Sequence, residues 1–286
     1  MAAEKTIRAA LSGADGAAKA AAKNPLLKPR PLPKRFYKQV SAERRDGLYA
    51  VLLDGRGVKT PARQALAVPS EALAELAADE FRLQKEVINP ALMPITRLCN
   101  TVIDAIAADI QPVIEDILRY AACDMVFYRA KYPEALAKLQ AENWDKMLDW
   151  ALEAMGAEFA AAEGIMFAAQ KPEALAAASA YLRRWRRPRA EDGRYRAADL
   201  PYAVAALHMM VSLTGSALLA LMCEAGALSV AETWKLAHLE EDWTIAHWGE
   251  DAEAMAKRAD AERDFYAAAA TLAALKAEKE EEPAAA

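Results

Sequence analysis

Near one end of the chain, Leu236-Ala237-His238-Leu239-Glu240-Glu241-Asp242-Trp243 gathers three consecutive acids, and Trp248-Gly249-Glu250-Asp251 follows closely. Neighbouring carboxylates such as Glu240 and Glu241 could serve as a general acid or base, provided a pocket collects further polar groups around them. The sequence shows no such gathering. His238 with Asp242, and His247 with Asp251, have the i, i+4 spacing that two metal ligands on one helix need. With only three histidines and no Glu-x-x-His pair repeated on a second helix, a metal centre finds no support, and no cofactor is expected.

Arg183-Arg184-Trp185-Arg186-Arg187-Pro188-Arg189 places five arginines around one tryptophan, a composition able to grip phosphates and stack a base. The run also falls at a predicted helix C-terminus, where cations favour the helix dipole, and Glu191 and Asp192 follow it. A solvated helix end is the simpler account. Gly13, Gly16 and Lys19 fail the spacing of a phosphate-binding loop and follow no strand. The net charge of −5 argues against a protein whose main task is holding nucleic acid.

The elements that would position these residues are mostly helices. The chain has 286 residues, 55% of them hydrophobic, which suffices for one large or two modest cores. Abundant alanine favours helix. Cys99, Cys123 and Cys223 are widely spaced within apolar helical pattern and read as reduced core residues of a cytosol-like compartment.

The opening stretch, 1–33, is basic and proline-rich and reads as a tail, with a mitochondrial presequence as the other reading. Residues 34–110 form the expected β-rich region. Phe36, Lys38 and Val40 alternate, Leu48 to Leu53 make a second strand, and Asp54-Gly55-Arg56-Gly57 offers the positive-φ residues of a tight hairpin. Ser70 and Glu71 open a helix reaching about Val87. From Thr96 onward the pattern predicts helices over 96–107, 112–122, 133–155, 172–184, 201–223, 230–248 and 251–275, with a short strand within 158–170 left open. A helical domain over 111–276 and an acidic tail over 277–286 complete the expectation.

Residues 200–223 contain no Asp, Glu, Lys or Arg, so their length alone would span a bilayer. Pro201, His208, Ser212, Thr214, Gly215 and Ser216 interrupt the run, and aromatic belts are missing, so a buried central helix is expected and no stable membrane insertion. Within 230–248, Leu236, Leu239, Trp243 and Ala246 form one core-facing stripe, with Glu240 on its flank. Trp248 and Gly249 read as a helix stop.

Several short motifs, in fixed order, resemble one family. They are Arg35-Phe36-Tyr37-Lys38, then Leu53 to Pro61 with Gly55, Thr60 and Pro61, Leu66-Ala67-Val68-Pro69, Glu80-Phe81-Arg82-Leu83-Gln84, Ile88-Asn89-Pro90 and Met93-Pro94-Ile95-Thr96. Arg119-Tyr120-Ala121, Asp124, Tyr128-Arg129, Gly215-Ser216 and the acidic segment through Asp251 continue the series. The chain from about 35 to 270 is similar to the assembly chaperones for the alpha subunit of the F-type ATP synthase catalytic head. One departure is Phe81, where the family usually has tryptophan; packing survives this change, but an indole hydrogen bond would not.

The resemblance implies an α+β protein, a small N-terminal β-rich domain followed by a larger helical one, with a non-catalytic role. Its client would be the unassembled alpha subunit, held until the beta subunit displaces it, in a bacterial cytoplasm or else a mitochondrial matrix. It implies partner binding at Glu240, and with it Glu241, Trp243, His247 and Asp251. Gly55, Thr60, Pro61, Phe81, Gln84, Pro94, Trp248 and Gly249 would be structural. The plainer account of Glu240 is a flank carboxylate paired with an arginine. A helical enzyme using Glu240 or Glu241, and a nucleic-acid binder using Arg183 to Arg189, remain the rivals from other classes.

Overall fold

A computed structural model describes residues 31–164, 166–186 and 194–277. Most of the two expected tails, and Arg187 to Arg189, lie outside the described residues. The fold is α+β: a small strand region near the N-terminus followed by many helices. The chain divides into two compact units, one of residues up to Asp109 with Pro201–Ala206 and Ala252 onward, the other of Ile110–Leu200 and Leu207–Asp251.

In the first unit, strands β1 (Val40–Arg45) and β2 (Leu48–Leu53) pair antiparallel from Val40 opposite Leu53 to Arg45 opposite Leu48. β3 (Arg56–Gly57) and β4 (Ala67–Val68) both pair antiparallel with β2, which places Ala50, Val51, Leu52 and Leu53 in the core. Two Asp-Gly turns close the hairpins, Asp46-Gly47 and Asp54-Gly55, all four residues at positive φ. The first strand lies later than its alternation predicts. The N–H groups of Lys38 and Gln39 donate to the Asp54 carboxylate instead of entering the ladder, and pairing starts at Val40. Those bonds hold the Asp54 pKa below the usual carboxylate range.

Helix α1 (Glu71–Leu83) starts where Ser70 accepts a hydrogen bond from the Leu73 N–H, and it buries Leu73, Ala74, Ala77, Ala78 and Phe81. It stops at Gln84, short of the predicted Val87. The Gln84 amide donates to the Glu80 carbonyl and accepts from the Asn89 N–H. Helix α2 (Pro94–Thr101) runs into a π-helical turn, Val102–Ile106. From that turn Asp104 accepts from the Thr60 hydroxyl at 2.5 Å and the Ala62 N–H at 3.0 Å, which ties down the exposed Pro61 corner.

The second unit contains α3 (Gln111–Ala122), α4 (Glu134–Met155), α5 (Pro172–Arg183), α6 (Leu200–Thr214), α7 (Ala217–Ala225), α8 (Val230–Ala237) and α9 (Leu239–Trp248). The first six residues of α6 past Leu200 cluster with the first unit. Strand β5 (Tyr128–Arg129) pairs parallel with β6 (Ala162–Glu163), the short strand left open in the sequence. Trp144, Phe127 and Met147 are among the largest fully buried side chains.

Three expectations need correction. Residues 201–223 are two helices, because Gly215 takes φ 69° and Ser216 caps α7 through the Leu219 N–H. The buried Asp124 carboxylate adds to that cap, accepting from the Leu218 N–H at 2.9 Å, while its other oxygen accepts from the Val126 N–H of its own turn at 3.2 Å; burial pushes its pKa up to about 6. No helix among the described residues is long and apolar enough to cross a membrane.

The last helix, α10 (Ala252–Ala277), clusters with the first unit and not with a helical domain over 111–276. Arg97 pairs with its Asp264 at 2.6 Å, and the Ser70 hydroxyl donates to its Ala274 carbonyl. An alanine-rich helix carries no sequence mark of which core it completes. The third correction is Cys123, which is exposed at the end of α3, whereas Cys99 is buried and Cys223 half-buried.

Candidate functional site

The acidic segment is built on a helix break that its sequence does not announce. The predicted single helix over 230–248 ends at His238, whose N–H still reaches Trp234 and Lys235 carbonyls, and α9 restarts at Leu239. Glu240, Glu241 and Asp242 thereby occupy a first helical turn, where the exposed N–H groups and helix dipole favour negative charge. The break rotates the expected stripe. Leu239 is buried and Leu236 and Trp243 half-buried, but Ala246 faces solvent.

Glu240 is exposed, and its Oε1 accepts from Nε2 of Gln140, a fully buried residue of α4. An arginine partner, the plainer expectation, is replaced by this amide. Gln140 is held in turn: its Oε1 accepts from the Ala130 N–H at 2.7 Å, and its carbonyl accepts from Arg129 Nη1 at 2.8 Å. Arg129 also pairs with Asp145 at 3.0 Å and lies over the Trp144 ring, 5.3 Å from its centroid. Burial lowers the Arg129 pKa, against the pull of Asp145. Trp144 donates from Nε1 to the Leu236 carbonyl at 3.0 Å, pinning the turn just before the acids.

Along α9, Trp243 and His247 stack with centroids 4.2 Å apart, and His247 Nδ1 donates to the Trp243 carbonyl at 2.8 Å. That bond puts the proton on Nδ1. A related arrangement occurs one helix earlier, where the His238 ring lies tilted at 38° against Trp234 and donates from Nδ1 to its carbonyl at 2.9 Å; His238 Nε2 lies 3.9 Å from Glu241. Trp248 is 85% exposed at the helix end, and Gly249 turns the chain away at φ 87°. Asp251 lies beyond that turn, so its spacing to His247 is not a helical one. Among the described residues no three His, Cys, Asp or Glu side chains gather as metal ligands.

The structure thus brings Glu240, Glu241, Trp243 and His247 onto one helix and leaves Asp251 outside it. Gln140, Arg129 and Asp145 complete the arrangement, yet nothing in their local sequence links them to a segment about 100 residues away. The motif residues Gly55, Thr60, Pro61, Phe81, Gln84 and Pro94 belong to the first unit. There Phe81 packs edge-on against Tyr37, whose hydroxyl donates to the Phe81 carbonyl at 2.8 Å. Trp185, the proposed stacking platform of the arginine run, is buried against Tyr195.

Comparison with known proteins gives a consistent set of relatives. The family model described as ATP12 chaperone protein matches residues 34–152. The mitochondrial protein atp12 of Schizosaccharomyces pombe is 29% identical over 125 residues, 41% of this chain and 43% of that relative, so the alignment spans less than half of the yeast protein. The crystal structure of Atp12 from Paracoccus denitrificans superposes with a TM-score of 0.73 at 31% identity, covering 85% of this chain and 98% of that one. The Atu1473 protein of Agrobacterium tumefaciens matches with a TM-score of 0.78 at 43% identity, over 96% of this chain and 100% of that one. On this agreement of sequence and structure along nearly its whole length, the chain belongs to the ATP12 chaperone family.

Proposed function

We propose that this protein binds the unassembled alpha subunit of the F-type ATP synthase, keeps it from aggregating until the beta subunit takes its place, and performs no chemistry of its own. The observation that carries this reading, beside family membership, is the surface of α9. Its Trp248 indole is almost wholly exposed and its Trp243 half-buried, on a helix whose first turn carries three acids. Large aromatic side chains rimmed by charge are the usual anchors of a transient protein interface. Glu240, Glu241, Trp243 and His247 form the proposed client-facing set, with Asp251 at its margin.

The compartment that fits this role is a bacterial cytoplasm, or the mitochondrial matrix in the alternative. The test is light scattering of the purified alpha subunit during dilution from denaturant, with and without the protein. Suppressed scattering together with a complex that the beta subunit dissolves supports the reading. Unchanged scattering and no complex would refute it.

A further inference from the structure

We infer that Gln140 is a positioning residue for Glu240, one that dictates which kind of side chain position 240 accepts; this rests on the reading of Glu240 as client-facing. A primary amide has a donor end and an acceptor end, and burial of Gln140 leaves neither end any water. The Ala130 N–H can only donate, so the Gln140 oxygen must face it. The amide nitrogen is therefore aimed at position 240 and needs an acceptor there. Turning the amide over would set its nitrogen against the Ala130 N–H and its oxygen against the carboxylate, and would lose both bonds.

The remaining contacts fix the backbone that carries this amide. Arg129 binds the main-chain carbonyl of Gln140, Asp145 holds Arg129, and Trp144 below that guanidinium donates to the Leu236 carbonyl. The cluster that orients Gln140 thus also fixes the backbone one turn before Glu240. An exposed glutamate would ordinarily sample several rotamers; here a buried donor selects the one it can reach. A lysine at 240 would present a second donor to a donor that cannot turn. A charge reversal there therefore disturbs the fold as well as any partner contact, whereas Glu240→Gln offers an acceptor and removes only the charge.

The experiment compares the wild type, Glu240→Gln, Gln140→Leu and the double variant, reading thermal unfolding and affinity for the purified alpha subunit on each. The expected result is that Gln140→Leu weakens binding by about fivefold or more alone but by less than about twofold on the Glu240→Gln background. A merely structural Gln140 would weaken binding by the same factor on both, and that result overturns the inference, as does undiminished binding by Gln140→Leu. The variant Gln140→Met, close to glutamine in volume and shape, guards against misfolding of the leucine variant: a cooperative unfolding transition with binding weakened by about fivefold or more supports the positioning role, and wild-type binding by a folded Gln140→Met overturns the inference. Wild-type affinity of Glu240→Gln alone would instead refute the client-facing reading and the positioning role with it. Non-additive unfolding midpoints in the same proteins would then still show that residues 140 and 240 are paired, which separates the two failures.

Discussion

The Glu80 carboxylate caps the helix that Thr96 enters: its two oxygens accept from the N–H groups of Ile95 and Thr96, each at 2.7 Å, with the whole residue buried. Burial pushes the Glu80 pKa up to about 7, although the Thr96 hydroxyl, both N–H groups and the Arg97 charge all pull it down. The folded protein consequently holds a proton that the unfolded chain releases at an ordinary glutamate pKa. This contribution to stability is fully present below about pH 4.5 and is lost as pH rises through about 7.

That shift corresponds to about 3 kcal/mol across the window. Glu80→Gln has nothing to titrate, so the stability advantage of the wild type over this variant should shrink by about that amount between pH 4.5 and 8. Urea unfolding of both proteins across the range provides the measurement. A constant difference would show that the site does not retain the proton.

How much was legible follows the range of the forces involved. Asp54-Gly55 announced its hairpin and Ser70 its helix, because turn and cap chemistry acts over a few residues. Gly215-Ser216 carried an equally local signal, a left-handed stop followed by a cap, but the uncharged length of 200–223 outweighed it in the reading. The break at His238 had no glycine or proline to betray it. Tertiary contacts, the Trp144 bond to the Leu236 carbonyl among them, anchor that turn. The Gln140 to Glu240 bond crosses about 100 residues and leaves no periodic trace. Family resemblance alone singles out Glu240, and only the tertiary fold sets its amide partner.

Gly215 offers a direct test of the two-helix correction. Its φ of 69° strains any L side chain, while a Cβ there would meet only the Met125 side chain at 3.7 Å, an ordinary contact. Gly215→Ala should therefore cost about 1 to 2 kcal/mol, from backbone strain and not from a clash. Denaturant unfolding of this variant, with Gly156→Ala at the end of α4 as a second left-handed stop, would measure it. A neutral or stabilising Gly215→Ala would indicate that the helix continues through this point.

Trp248 separates stability from binding most cleanly. An indole that is 85% exposed loses almost no buried area on truncation, so Trp248→Ser should leave the unfolding midpoint within about 1 °C of the wild type. Trp144 is the internal contrast: fully buried and bonded to the Leu236 carbonyl, it should cost several kcal/mol, about 3 to 5, on truncation to alanine. If α9 is the client-facing helix, Trp248→Ser should weaken alpha-subunit binding by at least about tenfold, since exposed aromatic anchors dominate such interfaces. Titration calorimetry against the alpha subunit, paired with thermal unfolding of the same preparation, checks both halves. Normal binding by a stably folded Trp248→Ser would move the client surface away from this end of α9.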